Sequence, residues 1–172
     1  MSIITKRGDQ GSTDLLFGKK AEKTSARVEA LGAVDELNAQ LGLARVHTEE
    51  TELKEWIDGV QKNLVNLMGM MATEPSDFSQ YIDKGYGLIR GEDLIDLEKL
   101  AASHEAEGNT FKGWIRPGKD GSLTAAQLHV CRTVCRRAER RCWAVEIDID
   151  LPRLYLNRLA DVLWLLASSA SS

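Results

Sequence analysis

The chain has 172 residues, of which 43% are hydrophobic and 28% are charged, and its formal net charge is −4. This length suits one domain with a substantial core, and the composition is that of an ordinary globular protein. The acidic balance argues against a dedicated nucleic-acid binder, and no apolar run approaches the ~20 residues of a membrane span.

The first 24 residues precede any helical pattern and contain a Gly-rich, Lys-rich stretch, "TKRGDQGSTDLLFGKK", at residues 5–20. Such a stretch is either a frayed terminus or a loop that wraps a phosphate chain. Gly8, Gly11 and Gly18 let the main chain approach a ligand closely, and the lysines around them suit a triphosphate. It is not a Walker A loop, because both GxxxxGK[ST] and a preceding strand are absent.

Hydrophobic periodicity predicts five helices, four of them long, and no convincing strand. Their predicted bounds, in chain order, are 25–46, 50–73, 92–107, 122–145 and 152–168. Pro75 is expected to close the second helix, Ser122 to cap the fourth and Pro152 to start the last. The stretches "EPSDFSQYIDKGYGLIRG" and "GNTFKGWIRPGKDGS" are interpreted as loops.

The last predicted helix is apolar on most sides, so we expect it to be buried or to lie in an oligomer interface. The residues after it, 168–172, are expected to form a disordered tail. The whole chain, residues 1–172, is thus predicted to be a single all-α domain, a bundle of five helices.

The fourth predicted helix carries two kinds of arginine. With 100° between successive residues, one stripe beside the apolar face carries Arg132, Arg136, Glu139 and Trp143. The natural solvent side carries Arg137, Arg140 and Arg141. The arginines of the stripe need anionic partners, because an unpaired charge at the edge of a core is costly. Those partners are either carboxylates along the same helix or a bound polyanion.

Two other helices also place polar groups against apolar surfaces. Asp35, in the first helix, lies near the core stripe, where an arginine of the fourth helix is the obvious cation for it. Asn157, Asp161 and Trp164 share a face of the last helix, where they are satisfied core groups or line a pocket. From the residues alone we therefore expect a helical bundle with a polyanion site, in a nucleotide enzyme or a phosphate-binding regulator.

Three cysteines, Cys131, Cys135 and Cys142, crowd into twelve residues. We interpret them as reduced core thiols of a cytoplasmic protein rather than as metal ligands. His129 does not change this interpretation, because it lies two residues from Cys131 and on a different helical face. The opening residues lack the apolar core of a secretory signal, which also favours the cytoplasm.

Four ordered blocks of the sequence resemble the signature blocks of the PduO-type ATP:cob(I)alamin adenosyltransferases. They read "TKRGDQGSTDLLFG", "RVEALGAVDELNAQLG", "HVCRTVCRRAER" and "YLNRLADVLWLLA". The resemblance extends from about Ile4 to Ala167, and four blocks with matching separation form a highly specific signal. It implies a homotrimer of ferritin-like five-helix bundles with active sites between adjacent subunits. In such a trimer the N-terminal loop of one subunit, residues 1–24, and the arginine-bearing helix of its neighbour bind ATP.

The resemblance also implies the roles of individual residues. The implied ATP-binding residues are Thr5, Lys6, Gly8, Asp9, Gly11, Thr13, Gly18, Lys23, Arg27, Arg136, Glu139 and Asn157. The implied catalytic residues are Asp35, Arg132, Arg136 and Glu139, and Asp35 matches the carboxylate that pairs with Arg132. The implied corrinoid-binding residues are Trp114, Asp35 and Arg132. We expect Mg²⁺ to bind through the ATP phosphates and not through a cluster of protein side chains.

The implied reaction transfers the 5′-deoxyadenosyl group of ATP to the cobalt of cob(I)alamin and forms adenosylcobalamin and inorganic triphosphate. Arg136, Lys6, Lys23 and Mg²⁺ are the expected cations around the leaving triphosphate. ATP and cobalamin are the expected substrates, and a reductase and a B12-dependent client enzyme are further expected partners. Neither a nucleic acid nor a membrane is an expected partner.

The chain departs from the family in the segment before the fourth predicted helix. Where the family has the Phe of an FxxPGG segment, which shields the lower face of cobalt, this chain reads "WIRPGKDGS" with an apparent two-residue insertion. Trp114 is therefore expected either to shield cobalt or to anchor its loop. The departure supports one alternative, a non-catalytic corrinoid- and ATP-binding carrier or regulator on the same fold. The acidic net charge opposes a second alternative, a helical nucleic-acid module that uses the solvent-side arginines.

Overall fold

The computed structural model describes residues 4, 6, 8–110, 113–114, 116–119 and 121–170. The strands in these ranges are β1 (Ser12–Asp14) and β2 (Lys20–Glu22). The α-helices are α1 (Ala26–His47), α2 (Thr51–Met71), α3 (Phe78–Asp83), α4 (Gly91–Ala106), α5 (Leu123–Trp143) and α6 (Asp150–Ser169). Single 3₁₀ turns lie at Leu16–Gly18 and Pro75–Asp77.

The five longer α-helices occupy the five predicted segments, and their ends differ from the predicted ones by at most two residues. α6 begins at Asp150, so Pro152 lies in its first turn, where an N–H group would have no helical acceptor. α6 also continues through Ser169, so the predicted disordered tail was wrong for Ser168 and Ser169. Residues 171–172, the end of that tail, lie outside the described residues.

Serine side chains cap α1, which carries Asp35, and α5, which carries Arg132 and Arg136. The Ser122 hydroxyl accepts a hydrogen bond from the Ala125 N–H at 3.1 Å, which confirms the predicted cap of α5. The Ser25 hydroxyl accepts one from the Val28 N–H at 3.4 Å at the start of α1. Each bond satisfies one of the N–H groups that a helix leaves without an internal partner at its start.

The stretch after α2 was predicted as a loop but contains α3. The buried Tyr81 ring stacks on Phe78 with centroids 5.6 Å apart, and its hydroxyl donates to the Gly87 carbonyl at 2.7 Å. A six-residue helix held by aromatic packing is too short to show a hydrophobic period. Within the described ranges the bundle therefore has six α-helices, where five were predicted.

A two-stranded antiparallel sheet near the start of the chain was also not predicted. β1 pairs with β2 in a register that sets Thr13 opposite Ala21. The turn between them passes through Phe17 and Gly18, with φ values of 57° and 76°. Each strand has only three residues and no alternation of apolar and polar side chains, so hydrophobic periodicity did not predict a strand here. The predicted absence of strands was wrong.

This hairpin is tied to the end of α2. The Leu16 N–H donates to the Ala72 carbonyl at 3.1 Å, and the Leu15 side chain is buried. Lys19 Nζ lies 3.5 Å from an Asp77 carboxylate oxygen in the adjoining 3₁₀ turn. Of the two interpretations of the opening stretch, an ordered loop therefore fits its described part and a frayed terminus does not.

α5 lies at the centre of the bundle. α1 packs along one side of it and α6 along the other, while α2 covers α1 and α4 covers α6. α1 and α5 run antiparallel, since Thr124 contacts His47 at one end of the pair and Arg141 contacts Glu29 at the other. The fully buried face of α5 consists mostly of short side chains, namely Leu128, Cys131, Cys135, Ala138 and Cys142. Short side chains allow close packing against both neighbours.

The connection between α5 and α6 is held by a buried arginine. The Arg153 guanidinium donates to the carbonyls of Cys142, Val145 and Ile147 at 3.3, 2.7 and 3.1 Å, respectively. It also lies 4.8 Å from the centroid of the Trp143 ring. The buried charge is tolerated because several of its N–H donors are satisfied in this way. Arg153 therefore fixes the direction in which α6 leaves α5.

α6 is buried inside the chain over much of its surface. Ten of its 20 residues are buried, which fits its predicted apolar character. Its neighbours α5 and α4 thus cover most of the apolar surface of α6, which the sequence pattern predicted to be buried. None of the helices in the described ranges is both long and apolar enough to cross a membrane.

Two isoleucines allow a test of this core. Ile57 in α2 is fully buried, whereas Ile95 in α4 is 49% exposed. We expect Ile57→Ala to lower the free energy of unfolding by about 2–5 kcal/mol, because it removes buried methyl groups and leaves a cavity. Ile95→Ala, the matched control, should cost less than about 1 kcal/mol. Urea unfolding followed by circular dichroism measures both, and equal losses would contradict the assigned core.

Candidate active site

The predicted arginine stripe of α5 lies along the border with α6. Arg132 is half-buried and Arg136 is exposed. The Trp143 indole N–H donates to Glu139 Oε1 at 2.7 Å, so this carboxylate is partly engaged inside the stripe. Among the residues that the structure describes, neither Arg132 nor Arg136 forms an ion pair, so the alternative of ion pairs along the helix is not realised. Both guanidiniums remain available to an anion.

The other arginines of α5 have partners. Arg137 pairs with Glu36 of α1, and Arg141 lies 3.3 Å from Glu29 of the same helix. All four side chains are roughly half exposed, so these contacts are worth at most about 1 kcal/mol each. The predicted solvent side of α5 is therefore also the side on which α5 is linked to α1.

One cavity of about 460 Å³ opens beside the stripe, between α4, α5, α6 and the loop before α5. Its lining mixes apolar side chains with charged ones: Leu97, Glu98, Ala101, Glu105, Asn109, Trp114, His129, Arg132, Arg158, Asp161, Val162, Trp164 and Leu165. It brings together two of the three predicted corrinoid-binding residues, Trp114 and Arg132. Asp161 and Trp164 also line it, as one interpretation of their shared helix face predicted.

The inner wall of this cavity contains buried polar atoms without partners. His129 is only 4% exposed, and both of its ring nitrogens lack a hydrogen bond within the described part of the chain. Arg132 Nε is also buried and has no hydrogen-bond partner among the described residues. Burial lowers the pKa of the His129 imidazole below its ordinary value, and the Arg132 charge lowers it further. Burial, with a second contribution from the Arg136 charge, lowers the pKa of Arg132 as well. At neutral pH His129 is therefore neutral.

His129 lines the cavity but was not among the predicted site residues. It was considered only as a partner for the cysteines, which lie on another face. His129 lies three residues before Arg132, so the two side chains leave the helix on neighbouring azimuths. This spacing is the feature of the sequence that could have indicated that His129 lies beside Arg132.

Trp114 lies at the mouth of the cavity. Its side chain is 93% exposed, which is unusual for an indole. The adjoining Gly113 has a φ of 121°, a conformation that side chains rarely adopt. Of the two expectations for Trp114, that of a buried loop anchor does not fit this exposure. An aromatic ring held over a cavity in solvent suits contact with a ligand instead.

Asp35, the third predicted corrinoid-binding residue, is not part of the cavity. It is exposed on α1, and no ion pair joins it to Arg132 among the described residues. The core-facing residues of α1 include Ala30, Val34, Leu37 and Leu41, and Asp35 is not among the buried residues of this helix. The inference that its carboxylate borders the core of its own chain was therefore wrong. Its pairing with Arg132 stays a prediction for an assembled protein.

Asn157 is held by its neighbour in α6. The Arg158 guanidinium donates from Nη1 to Asn157 Oδ1 at 2.9 Å and from Nε to Glu98 Oε1 of α4 at 3.0 Å. The Asn157 oxygen is thus engaged, which leaves its NH₂ group as a donor. Arg158 and Glu98 also line the cavity, so this chain of bonds runs from the cavity wall to a predicted ATP-binding residue.

The N-terminal loop folds several predicted ATP-binding residues together. The Lys23 N–H donates to the Gly11 carbonyl at 2.8 Å, and the Gly11 N–H donates to the Gly8 carbonyl at 3.3 Å. A Cβ atom at Gly8 would lie only 2.8 Å from Lys23 Nζ, so the end of the Lys23 side chain packs closely against Gly8. Lys6 is exposed beside them, and Thr5 lies outside the described residues.

The remaining predicted residues of this region are spread around the hairpin. Asp9 is exposed, Thr13 lies in β1 and Gly18 in the turn. Arg27, at the start of α1, is mostly buried, and its Nη1 lies 2.5 Å from Glu74 Oε1. The Arg27 charge is thus already neutralised inside the chain.

The predicted ATP-binding residues therefore form two groups. One group lies on the N-terminal loop and the start of α1, and the other, Arg136, Glu139 and Asn157, lies along α5 and α6. No hydrogen bond or ion pair connects the two groups in the described ranges. Within the same ranges, no group of three or more His, Cys, Asp or Glu side chains could hold a metal ion.

The chain is similar along its length to known proteins of one family. The model of the cobalamin adenosyltransferase family matches residues 3–170. The corrinoid adenosyltransferase of Citrobacter freundii is 37% identical over 168 residues, which are 96% of this chain and 92% of that protein. The cobalamin adenosyltransferase of Cupriavidus metallidurans is 37% identical over 169 residues, which are 96% of this chain and 85% of that protein.

Solved structures are similar as well. A variant of the PduO-type ATP:corrinoid adenosyltransferase from Lactobacillus reuteri, complexed with cobalamin and ATP, superposes with a TM-score of 0.88. It is 28% identical, and the match covers 99% of this chain and 93% of that one. A second variant of a PduO-type enzyme from the same organism, complexed with ATP, has a TM-score of 0.84.

The three thiols near the site are inert by burial, which yields a prediction. Cys131, Cys135 and Cys142 are free and buried, as predicted, and burial raises the pKa of Cys131 and of Cys142 to about 12. Because the thiolate is the reactive form, a chromogenic disulfide reagent at about pH 8 should leave all three unmodified in the folded protein. The same reagent should titrate three thiols per chain after unfolding in guanidinium. A thiol that reacts rapidly before unfolding would contradict the assignment.

Proposed function

We infer that this chain, which belongs to the cobalamin adenosyltransferase family, transfers the 5′-deoxyadenosyl group of ATP to cob(I)alamin. The products are adenosylcobalamin and inorganic triphosphate. The observation that carries this conclusion is the match to named adenosyltransferases over nearly the whole of both chains. The cavity supports it, because it combines apolar walls with a guanidinium and an exposed indole at its mouth.

The reaction is a nucleophilic substitution at the 5′ carbon of ATP. The electron pair of cobalt(I) forms the cobalt–carbon bond, and the pair of the broken carbon–oxygen bond leaves with the triphosphate. The triphosphate gains charge as it departs, so cations that are already in place lower the barrier. Arg136, Lys6 and Lys23 are the proposed protein cations, with Mg²⁺ bound through the phosphates.

No side chain acts as nucleophile or general base in this scheme. The protein instead holds two substrates in line, which lowers the entropic cost of their encounter. Asn157 suits this task, because its NH₂ group is left as a donor for the nucleotide. Glu139 is already held by Trp143 and would shape the same end of the site.

Trp114 is the proposed shield of the lower face of cobalt. Removal of a lower axial ligand makes reduction to cobalt(I) easier, and an indole at the cavity mouth is in reach of a bound corrin ring. The electron itself comes from outside the protein, so a reductase is a proposed partner, and a B12-dependent enzyme is the proposed recipient of the product. The free, buried thiols support the cytoplasm as the proposed compartment.

A homotrimer is the proposed assembly, with each ATP site shared by two subunits. Arg136 and Asp35 are exposed on a single chain, although their proposed roles require contact with ligands or charges. The exposed surface of α1 and α5 also carries the apolar side chains Leu43, Val46, Leu123 and Val130. A neighbouring subunit on this surface would bring a second N-terminal loop to Arg136 and Asn157.

Replacement of Arg136 tests the proposed chemistry. We expect Arg136→Ala to lower kcat/KM with ATP and chemically reduced cobalamin by about 30- to 1,000-fold, the scale for one preorganised donor. Arg141→Ala is the matched control, because Arg141 lies on the same helix and pairs with Glu29 of its own chain. Growth of the cobalt–carbon absorption measures turnover. Binding of both substrates by the unaltered protein without such growth would favour the non-catalytic carrier.

The shared site can be tested with mixed trimers. Lys23→Ala and Arg136→Ala alter opposite halves of the proposed site, so each homotrimer should be nearly inactive. An intact site in a mixed trimer needs the unaltered Lys23 of one subunit and the unaltered Arg136 of its neighbour. When the two variants assemble at random in equal amounts, about one quarter of the sites meet this condition, so co-expression should restore about one quarter of the normal activity. Arg136→Ala mixed with Asn157→Ala is the control, since both changes lie in the same half. No recovery in the first mixture, or recovery in the second, would contradict a site shared in this way.

A further inference from the structure

The inner wall of the cavity carries three polar atoms that need a partner, namely both ring nitrogens of His129 and Nε of Arg132. His129 is 4% exposed, so bulk water does not solvate it. A buried polar atom without a hydrogen bond costs on the order of 1–3 kcal/mol, and native proteins contain few of them. Such a cluster on the wall of a cavity therefore indicates a group that enters the cavity and satisfies it.

The donors and acceptors of the cluster define that group. Arg132 Nε–H only donates. A neutral imidazole carries one N–H donor and one nitrogen lone pair, and since neither ring nitrogen has a partner, one of the two always lacks a donor, whichever tautomer is present. The entering group must therefore both accept and donate. A primary carboxamide does so, whereas a carboxylate only accepts.

We propose that His129, together with Arg132 Nε, binds one of the peripheral carboxamides of the corrin ring. The carboxamide oxygen accepts from Arg132 Nε–H, and its NH₂ group donates to the free imidazole nitrogen. This assignment rests on the proposed function, because that function brings the corrinoid into this cavity. It makes His129 a corrinoid-binding residue, separate from the groups proposed to hold ATP.

The test measures corrinoid and ATP affinities separately. Cobalamin is titrated into the Mg·ATP-loaded protein and followed by its visible absorption, and ATP affinity is measured by calorimetry. His129→Phe keeps an aromatic ring and removes both nitrogens. It should weaken cobalamin binding roughly 5- to 100-fold, as loss of a buried hydrogen bond implies, and leave ATP affinity within about twofold. His129→Gln, which keeps a donor and an acceptor, should recover most of the loss.

His104→Phe is the matched control. His104 contacts Ser169 at 3.1 Å and does not line the cavity, so the same substitution there should leave cobalamin affinity unchanged. Unchanged cobalamin affinity in His129→Phe, with normal binding by the unaltered protein, would overturn the assignment of His129 alone. Failure of the unaltered protein to bind cobalamin would overturn the proposed function as well.

Two further measurements use the unaltered protein, so they decide the question even if His129→Phe does not fold. Among cobalamin derivatives in which a single peripheral carboxamide is hydrolysed to a carboxylate, one should bind at least about fivefold more weakly than the rest. Equal affinities for all of these monoacids would overturn the proposal.

Cobalamin affinity should also fall as the pH is lowered through the depressed pKa of His129, because protonation removes the acceptor and adds a second cation beside Arg132. The other charged groups on the cavity wall are Arg158 and Asp161 of α6 and Glu98 and Glu105 of α4. The loss should set in below the ordinary imidazole pKa of about 6.5, because the surroundings depress the pKa of His129 from that value. A flat profile below that pH would contradict the proposal.

Discussion

The position of α5 between α1 and α6 is the constraint on which the rest of the structure depends. Besides the sector from which Arg137 and Arg141 reach α1, α5 has a sector for long charged side chains beside α6. Arg132 leaves the helix at the buried edge of that sector, and Arg136, one turn later, leaves it in solvent. A single helix therefore presents one guanidinium to the cavity and another to the surface. This separation suits a reaction that joins an apolar, ring-shaped substrate to a highly charged one.

The long helices could be predicted because each buries a face large enough to impose a period of 3.6 residues on its sequence. The elements that were missed lack such a face. The strands of the N-terminal hairpin have three residues each and are held by backbone hydrogen bonds, and α3 depends on the contacts of Tyr81. The hairpin and α3 therefore depend on tertiary contacts, which a local sequence pattern does not show.

The site could be predicted in part for a similar reason. Arg132 and Arg136 were recognisable because charge beside an apolar stripe is unusual, and Trp114 because of the family resemblance. His129 was not recognisable in this way, since a lone histidine on a helix is usually a satisfied core residue. Only the cavity shows that its nitrogens have no partner. Asp35 illustrates the opposite error, because helix azimuths alone could not decide on which side of the core boundary it lies.

The hydrogen bond from Leu16 to Ala72, with the buried Leu15 side chain, has a consequence for nucleotide recognition. A free terminus would lose conformational entropy on closing around a triphosphate, at about 1–2 kcal/mol for each residue ordered. A hairpin already fastened to the bundle has lost much of that freedom during folding. In the proposed ATP site the hairpin would thus be preorganised for the nucleotide, and the affinity for ATP would depend on the stability of the contacts that hold the hairpin in place.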